Sequence, residues 1–132
     1  MSANPNRLMI VDDEDGIRDF IRDVAEDLGF DVEDTADVAD FKANVASFAP
    51  SVISLDLLMP GAGEGELLRT LAEQSCRAKI MVMSGLDGSA LTDAERLGES
   101  HGLQMLGKLG KPITIDALEE MLRAAWIDGD AT

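Results

Sequence analysis

Five short apolar runs, each followed by a segment with apolar residues at helical spacing, constrain this chain more than any other feature. Leu8-Met9-Ile10-Val11 is uninterrupted, the pattern of a strand covered on both faces. From Ile17 the period changes. Ile17, Phe20, Ile21, Val24 and Leu28 share one helical face, and Gly29 supplies a stop. Phe30-Asp31-Val32-Glu33 alternates, which suits a half-exposed edge strand. Val38, Phe41, Val45 and Phe48 mark a second helix, ended by Pro50. Val52-Ile53-Ser54-Leu55 is a third strand, and Leu67, Leu68 and Leu71 a short third helix. Ile80 to Met83 is a fourth strand, followed by a helix carrying Leu91, Ala94 and Leu97. Gln104 to Leu109 is a weaker fifth strand, and Ile115, Leu118, Met121, Leu122 and Ala125 define a fifth helix. A βα unit repeated five times predicts an α/β fold, a doubly wound parallel sheet covered on both faces.

The length, 132 residues, suits one domain. The expected unit is 7–126, between short tails at 1–6 and 127–132. The net charge of −15 repels phosphate backbones and anionic lipid, so neither nucleic acid nor a membrane surface is expected as a partner. Cys76 is the single cysteine and has no internal partner. The first apolar run is too short for a signal peptide, and no run approaches a membrane span. The expected location is the cytoplasm.

In an open parallel sheet, ligands bind beyond the carboxyl ends of the strands. There the sequence places Asp12, Asp13, Glu14 and Asp15 after the first strand, Asp56 after the third, Ser84 after the fourth, and Lys111-Pro112 after the fifth. Right-handed crossovers bring these ends to one edge. Acidic residues at a helix start are ordinary partners of its macrodipole, and Asp12 to Asp15 taken alone fit that explanation better. Asp56 does not, because a carboxylate closing an apolar strand is costly unless paired or coordinated. Carboxylates meeting at one edge repel one another, and Mg²⁺, which favours carboxylate oxygens and water, relieves that repulsion.

The segments Ile10-Val11-Asp12-Asp13-Glu14, Ser54-Leu55-Asp56-Leu57-Leu58-Met59-Pro60-Gly61, Met83-Ser84-Gly85 and Gly107-Lys108-Leu109-Gly110-Lys111-Pro112 together resemble the receiver domain of two-component response regulators. The resemblance spans roughly residues 7 to 126. It implies a flavodoxin-like (βα)5 sheet with strand order 2-1-3-4-5. It implies Asp56 as phosphoacceptor, and a Mg²⁺ site made by Asp12, Asp13, Asp56 and the backbone carbonyl of Leu58. Lys111 and Ser84 would contact phosphoryl oxygens, and the Lys111–Pro112 peptide would be cis. The implied partners are a sensor histidine kinase or a histidine phosphotransfer protein, and a protein effector acting in trans on the α4-β5-α5 face. Such a protein catalyses only its own phosphorylation and dephosphorylation, and is a monomer or a phosphorylation-dependent dimer. One position departs from the pattern. An aromatic switch residue is usual three positions before the lysine, whereas Lys108 stands here and the chain has no tyrosine. Lys108 is therefore expected to report phosphorylation by where its charge is placed. Leu58 and Leu86 stand two residues after Asp56 and Ser84 and cannot orient an attacking water, so a long-lived phosphoaspartate is expected.

Three other functions fit less well. A phosphohydrolase with an aspartyl nucleophile, of the haloacid-dehalogenase type, places a second Asp where Leu58 stands. A nucleotide or flavin binder would need a glycine-rich first turn, but Gly61-Ala62-Gly63-Glu64-Gly65 follows the third strand and carries a carboxylate. A module that signals without phosphorylation would not need the full set of acids, hydroxyl and lysine. Met81 and Met83 read as core, Trp126 as a packing anchor, and His101 has no ligand partner at useful spacing.

Overall fold

The computed structural model describes residues 4–59, 61, 65–85 and 88–128. The sequence readings on Pro60, Ala62, Gly63, Glu64 and Leu86 lie outside the described residues. Five strands, β1 (Arg7–Val11), β2 (Asp31–Thr35), β3 (Val52–Asp56), β4 (Lys79–Ser84) and β5 (Gln104–Gly110), alternate with five helices. The helices are α1 (Asp15–Leu28), α2 (Val38–Phe48), α3 (Glu66–Glu73), α4 (Gly88–Ser100) and α5 (Ile115–Ala124). All strand pairs are parallel, in the order β2-β1-β3-β4-β5.

The apolar runs are continuous because the sheet has two buried faces. Leu8 and Ile10 point into a core with Ile21, Val24, Ala25, Leu118 and Leu122 of α1 and α5. The alternate residues, Met9 and Val11, point into a second core with Phe41, Val45, Leu68, Leu71 and Leu91 of α2, α3 and α4. Alternation along one strand thus feeds both layers, and apart from the first residues of β1 and β4, Arg7 and Lys79, every position in β1, β3 and β4 is buried. Met81 and Met83 are fully buried.

Local signals set the helix ends. Gly29 adopts φ 103° and donates its N–H to the Glu26 carbonyl, closing α1. Asp37 and Thr114 accept from the N–H of Asp40 and Ala117, capping α2 and α5. The second strand differs from its sequence expectation. It runs from Asp31 to Thr35, because Asp34 and Thr35 pair with Ile10 and Val11, and the Thr35 hydroxyl donates to the Ile10 carbonyl at 3.0 Å. Phe30, expected within it, is instead buried before it, edge-to-face with Trp126 at 5.2 Å between ring centroids. Trp126 is the packing anchor expected.

The two tails meet at the amino ends of the strands. Asn6, buried, donates from Nδ2 to the Ile127 carbonyl at 2.7 Å and accepts the Ile127 N–H at 2.7 Å. Asn4 donates to the Gly29 carbonyl. No helix among the described residues is long and apolar enough to cross a membrane.

Candidate functional site

At the opposite edge, polar residues close β3 and β4 and follow directly on β1 and β5. Asp12 follows β1 and is only 1% exposed. Its N–H is donated to the Thr35 carbonyl, and its Oδ1 accepts the Glu14 N–H at 2.9 Å. Arg18 Nη1 donates to the Asp12 carbonyl. Asp56 is the last residue of β3, 4% exposed, and its Oδ1 accepts the Leu58 N–H at 3.0 Å. Asp13 is exposed beside them. Carboxylate oxygens of Asp12, Asp13 and Asp56 all lie within 4.8 Å of one another. Ser84 closes β4, fully buried, and its carbonyl accepts the Lys111 N–H at 2.9 Å. The Lys111–Pro112 peptide is cis.

Lys111 brings the opposing charge. Its Nζ lies 3.0 Å from Asp12 Oδ2, 3.2 Å from Glu14 Oε1 and 3.4 Å from Asp56 Oδ2. Burial disfavours the ammonium, but the hydrogen bond it donates to Asp12, the charges of Asp56 and Asp12, and the bond it donates to Glu14 outweigh this and hold the Lys111 pKa above its ordinary value. Burial raises the Asp12 carboxyl, and the nearby Asp56 charge adds to that. The Glu14 N–H and Lys111 pull the other way without cancelling it.

The sequence-expected residues therefore divide in two. Asp12, Asp13, Asp56 and Lys111 form one constellation, with Ser84 on the adjoining strand end and Leu58 bonded to Asp56 through its backbone. Lys108 stands apart. It lies on β5 with its Nζ 3.0 Å from Thr92 Oγ1 and 3.4 Å from Glu95 Oε1, both on α4. Glu14 was not assigned a role from the sequence, because an acidic residue at a helix start is ordinary. Here it is the N-cap position of α1, yet its side chain makes no capping hydrogen bond and reaches Lys111 instead. The fifth strand alone could have signalled this, by delivering a cation 97 residues along the chain to the same edge.

A buried carboxylate pair, a neighbouring exposed acid and one shared ammonium at the carboxyl edge of a 2-1-3-4-5 sheet agree with the profile of the response regulator receiver domain, which matches residues 8–123. The chain belongs to that family. This receiver domain is 35% identical over 84 residues to protein-glutamate methylesterase/protein-glutamine glutaminase 5 of Myxococcus xanthus, covering 62% of this chain and 24% of that protein. It is 28% identical over 122 residues to response regulator Rre1 of Synechocystis, covering 92% of this chain and 52% of Rre1. It thus spans about a quarter and about half of the lengths of these two relatives. A solved response regulator from Colwellia psychrerythraea superposes with a TM-score of 0.75 at 30% identity, covering 90% of this chain and 94% of that one. The fold is the flavodoxin-like receiver architecture, and the acidic cluster is of the kind at which receiver domains bind Mg²⁺.

Proposed function

We propose that this receiver domain, with residues 7–126 as its folded unit, takes a phosphoryl group onto Asp56 from the phosphohistidine of a sensor histidine kinase or histidine phosphotransfer protein. The observation that carries this is the convergence of three carboxylates within 4.8 Å and the Lys111 ammonium at the carboxyl edge. An Asp56 carboxylate oxygen attacks phosphorus. The new P–O bond forms as the P–N bond breaks, and the imidazole nitrogen leaves with the electron pair and takes up a proton. The Leu58 N–H holds the Asp56 carboxylate in place. Lys111 pairs with one phosphoryl oxygen, and the Ser84 hydroxyl donates to another.

The residues fit a hard divalent cation. Buried Asp12 and Asp56 share the Lys111 ammonium, and exposed Asp13 offers an oxygen within 4.8 Å of theirs, so the cluster keeps a net negative charge for a cation to balance. Asp12, Asp13, Asp56 and the Leu58 backbone carbonyl would hold Mg²⁺, which supplies positive charge against that of the transferring phosphoryl group. The chain's own chemistry is this transfer and the later hydrolysis, in which water takes the phosphoryl group as inorganic phosphate and the Asp56 carboxylate is restored. Its output is a change in the α4-β5-α5 face read by a cytoplasmic protein effector in trans, with Lys108 reporting the change.

Incubation with acetyl phosphate and Mg²⁺ followed by intact-mass measurement tests the proposal. Wild type gains one phosphoryl group and Asp56→Asn gains none. An unlabelled wild type, also after exposure to a phosphorylated histidine kinase, refutes it.

A further inference from the structure

An ammonium carries three N–H donors and no acceptor. In this structure the three carboxylates within reach of Lys111 Nζ are Asp12, Glu14 and Asp56. The resting lysine therefore has no donor free for an incoming phosphoryl oxygen, and one of its three partners must let go.

The three are not equally easy to release. Asp12 is almost fully buried, and its other oxygen is committed to the Glu14 N–H. Asp56 is also buried and pinned through the Leu58 N–H. Releasing Asp12 from the cation, or Asp56 before it has been phosphorylated, leaves a buried, poorly solvated carboxylate, which is costly. The Glu14 side chain is 61% exposed and makes no other hydrogen bond among those described. Water replaces Lys111 around it with little loss. Its backbone, in contrast, is fixed. The N–H is held by Asp12 and the carbonyl accepts the Arg18 N–H. The side chain can swing out while the loop carrying Asp12 and Asp13 stays in place.

We infer that Glu14 is a positioning residue that stands in for the phosphoryl group. Its carboxylate occupies one donor of Lys111 in the resting protein, keeps the ammonium at the mouth of the pocket, and yields that donor when the phosphoryl oxygen arrives. This inference rests on the phosphoacceptor role proposed for Asp56. It assigns Glu14 a competitive contact, so removing the contact speeds phosphorylation.

The alternative cause of such acceleration is plain repulsion between the Glu14 charge and an anionic phosphodonor. Two variants separate them. Glu14→Ala removes both charge and reach. Glu14→Asp keeps the charge at the mouth but is one methylene short of Lys111. The rate of adduct formation on the intact chain is measured with subsaturating acetyl phosphate and Mg²⁺. Both variants are expected to react about two- to fivefold faster than wild type, the range set by the strength of a partly exposed ion pair. Thermal melting of each variant checks that the fold is retained, as the exposure of Glu14 leads one to expect. Wild-type rates in both variants, a slower Glu14→Ala, or acceleration in Glu14→Ala but not in Glu14→Asp overturns the inference while leaving the phosphoacceptor role intact. A wild type that gains no phosphoryl group overturns both.

Discussion

Lys111→Met is the perturbation that most directly tests the electrostatics of the pocket. Methionine keeps most of the unbranched length and removes only the charge and its donors. Lys111 is 15% exposed at its side chain, and two of its three partners, Asp12 and Asp56, are buried. Removing one member of a buried ion pair costs roughly 3–5 kcal/mol, because the partner charge is left uncompensated. Here Asp13 and Glu14 are exposed and water reaches the mouth, which brings the expected loss at neutral pH to about 2–3 kcal/mol. For a domain of 132 residues, that is a fall in Tm of roughly 7–11 °C.

The pH dependence follows from the two shifted groups. The Lys111 pKa is held above 10.5 in the folded state. Its stabilising contribution is therefore complete below that value and is lost as pH rises through the folded-state value. The Asp12 carboxyl is held above 3.8, so the folded chain keeps that proton longer than the unfolded chain does. Folding weakens as pH rises through that window, and Lys111→Met widens it by taking away the Lys111 hydrogen bond and charge, which oppose the shift, while the Glu14 N–H remains. The gap between variant and wild type should therefore narrow as pH falls from 7 towards 4, because Asp12 takes up its proton at a higher pH than an ordinary aspartate does. Circular dichroism and Trp126 fluorescence follow the melt. Lys111→Arg, which keeps the charge, should stay close to wild type. A gap that is absent at pH 7, or equally large at pH 7 and pH 4, refutes this account of how the pocket is held.

Other outcomes follow from the same structure. Mg²⁺ at ten times its Kd should add about 1.4 kcal/mol to wild-type stability, reversibly with a chelator, and Asp13→Ala should abolish that gain; an equal rise in both sinks the metal assignment. Asn6→Ala breaks both 2.7 Å bonds to Ile127 and should cost about 2 kcal/mol, with a red shift of Trp126 emission as the carboxyl-terminal segment loosens. Leu58, 53% exposed, offers no group to orient water, so the phosphoaspartate should persist far beyond seconds in the purified protein and Leu58→Asn should shorten its half-life. Lys108→Ala removes the contacts to Thr92 and Glu95 on α4 and should weaken effector capture by the phosphorylated form up to about fivefold; unchanged affinity in a pull-down titration contradicts the switch role.

The fold was legible because a parallel sheet buried on both faces leaves unbroken apolar runs, and β1, β3 and β4 each do. The edge strand was misplaced for the complementary reason. Residues 31 to 35 have one neighbour strand and carry three acids, so their pattern is weak, and Phe30 drew the boundary towards itself although it belongs to the helix-facing core. Asp56 and Ser84 stood out as polar residues closing apolar strands, and Lys111 as a cation after the fifth. Asn6 and Glu14 did not stand out. Each sits where a polar residue is ordinary, in a terminal segment or at a helix start. Their roles come from partners 121 and 97 residues away, which no local pattern encodes.

Those two missed residues sit at opposite ends of the sheet and bear on one problem. At the carboxyl edge, Asp12, Glu14 and Asp56 share the Lys111 ammonium with Asp13 beside them, so the pocket stores repulsion that a well-packed apolar edge would not. The strands beneath that edge are anchored in two full cores, which hold the acids together against their repulsion. The clasp between Asn6 and Ile127 ties both ends of the described chain to the amino edge. A pocket meant to accept a highly charged group cannot be relaxed in its resting state without losing its affinity for that group. Glu14 fits this constraint as the one Lys111 partner among the described residues that is neither buried nor pinned. If it were buried like Asp12, Lys111 would be trapped. If it were absent, the ammonium would rest on Asp56 and Asp12 alone.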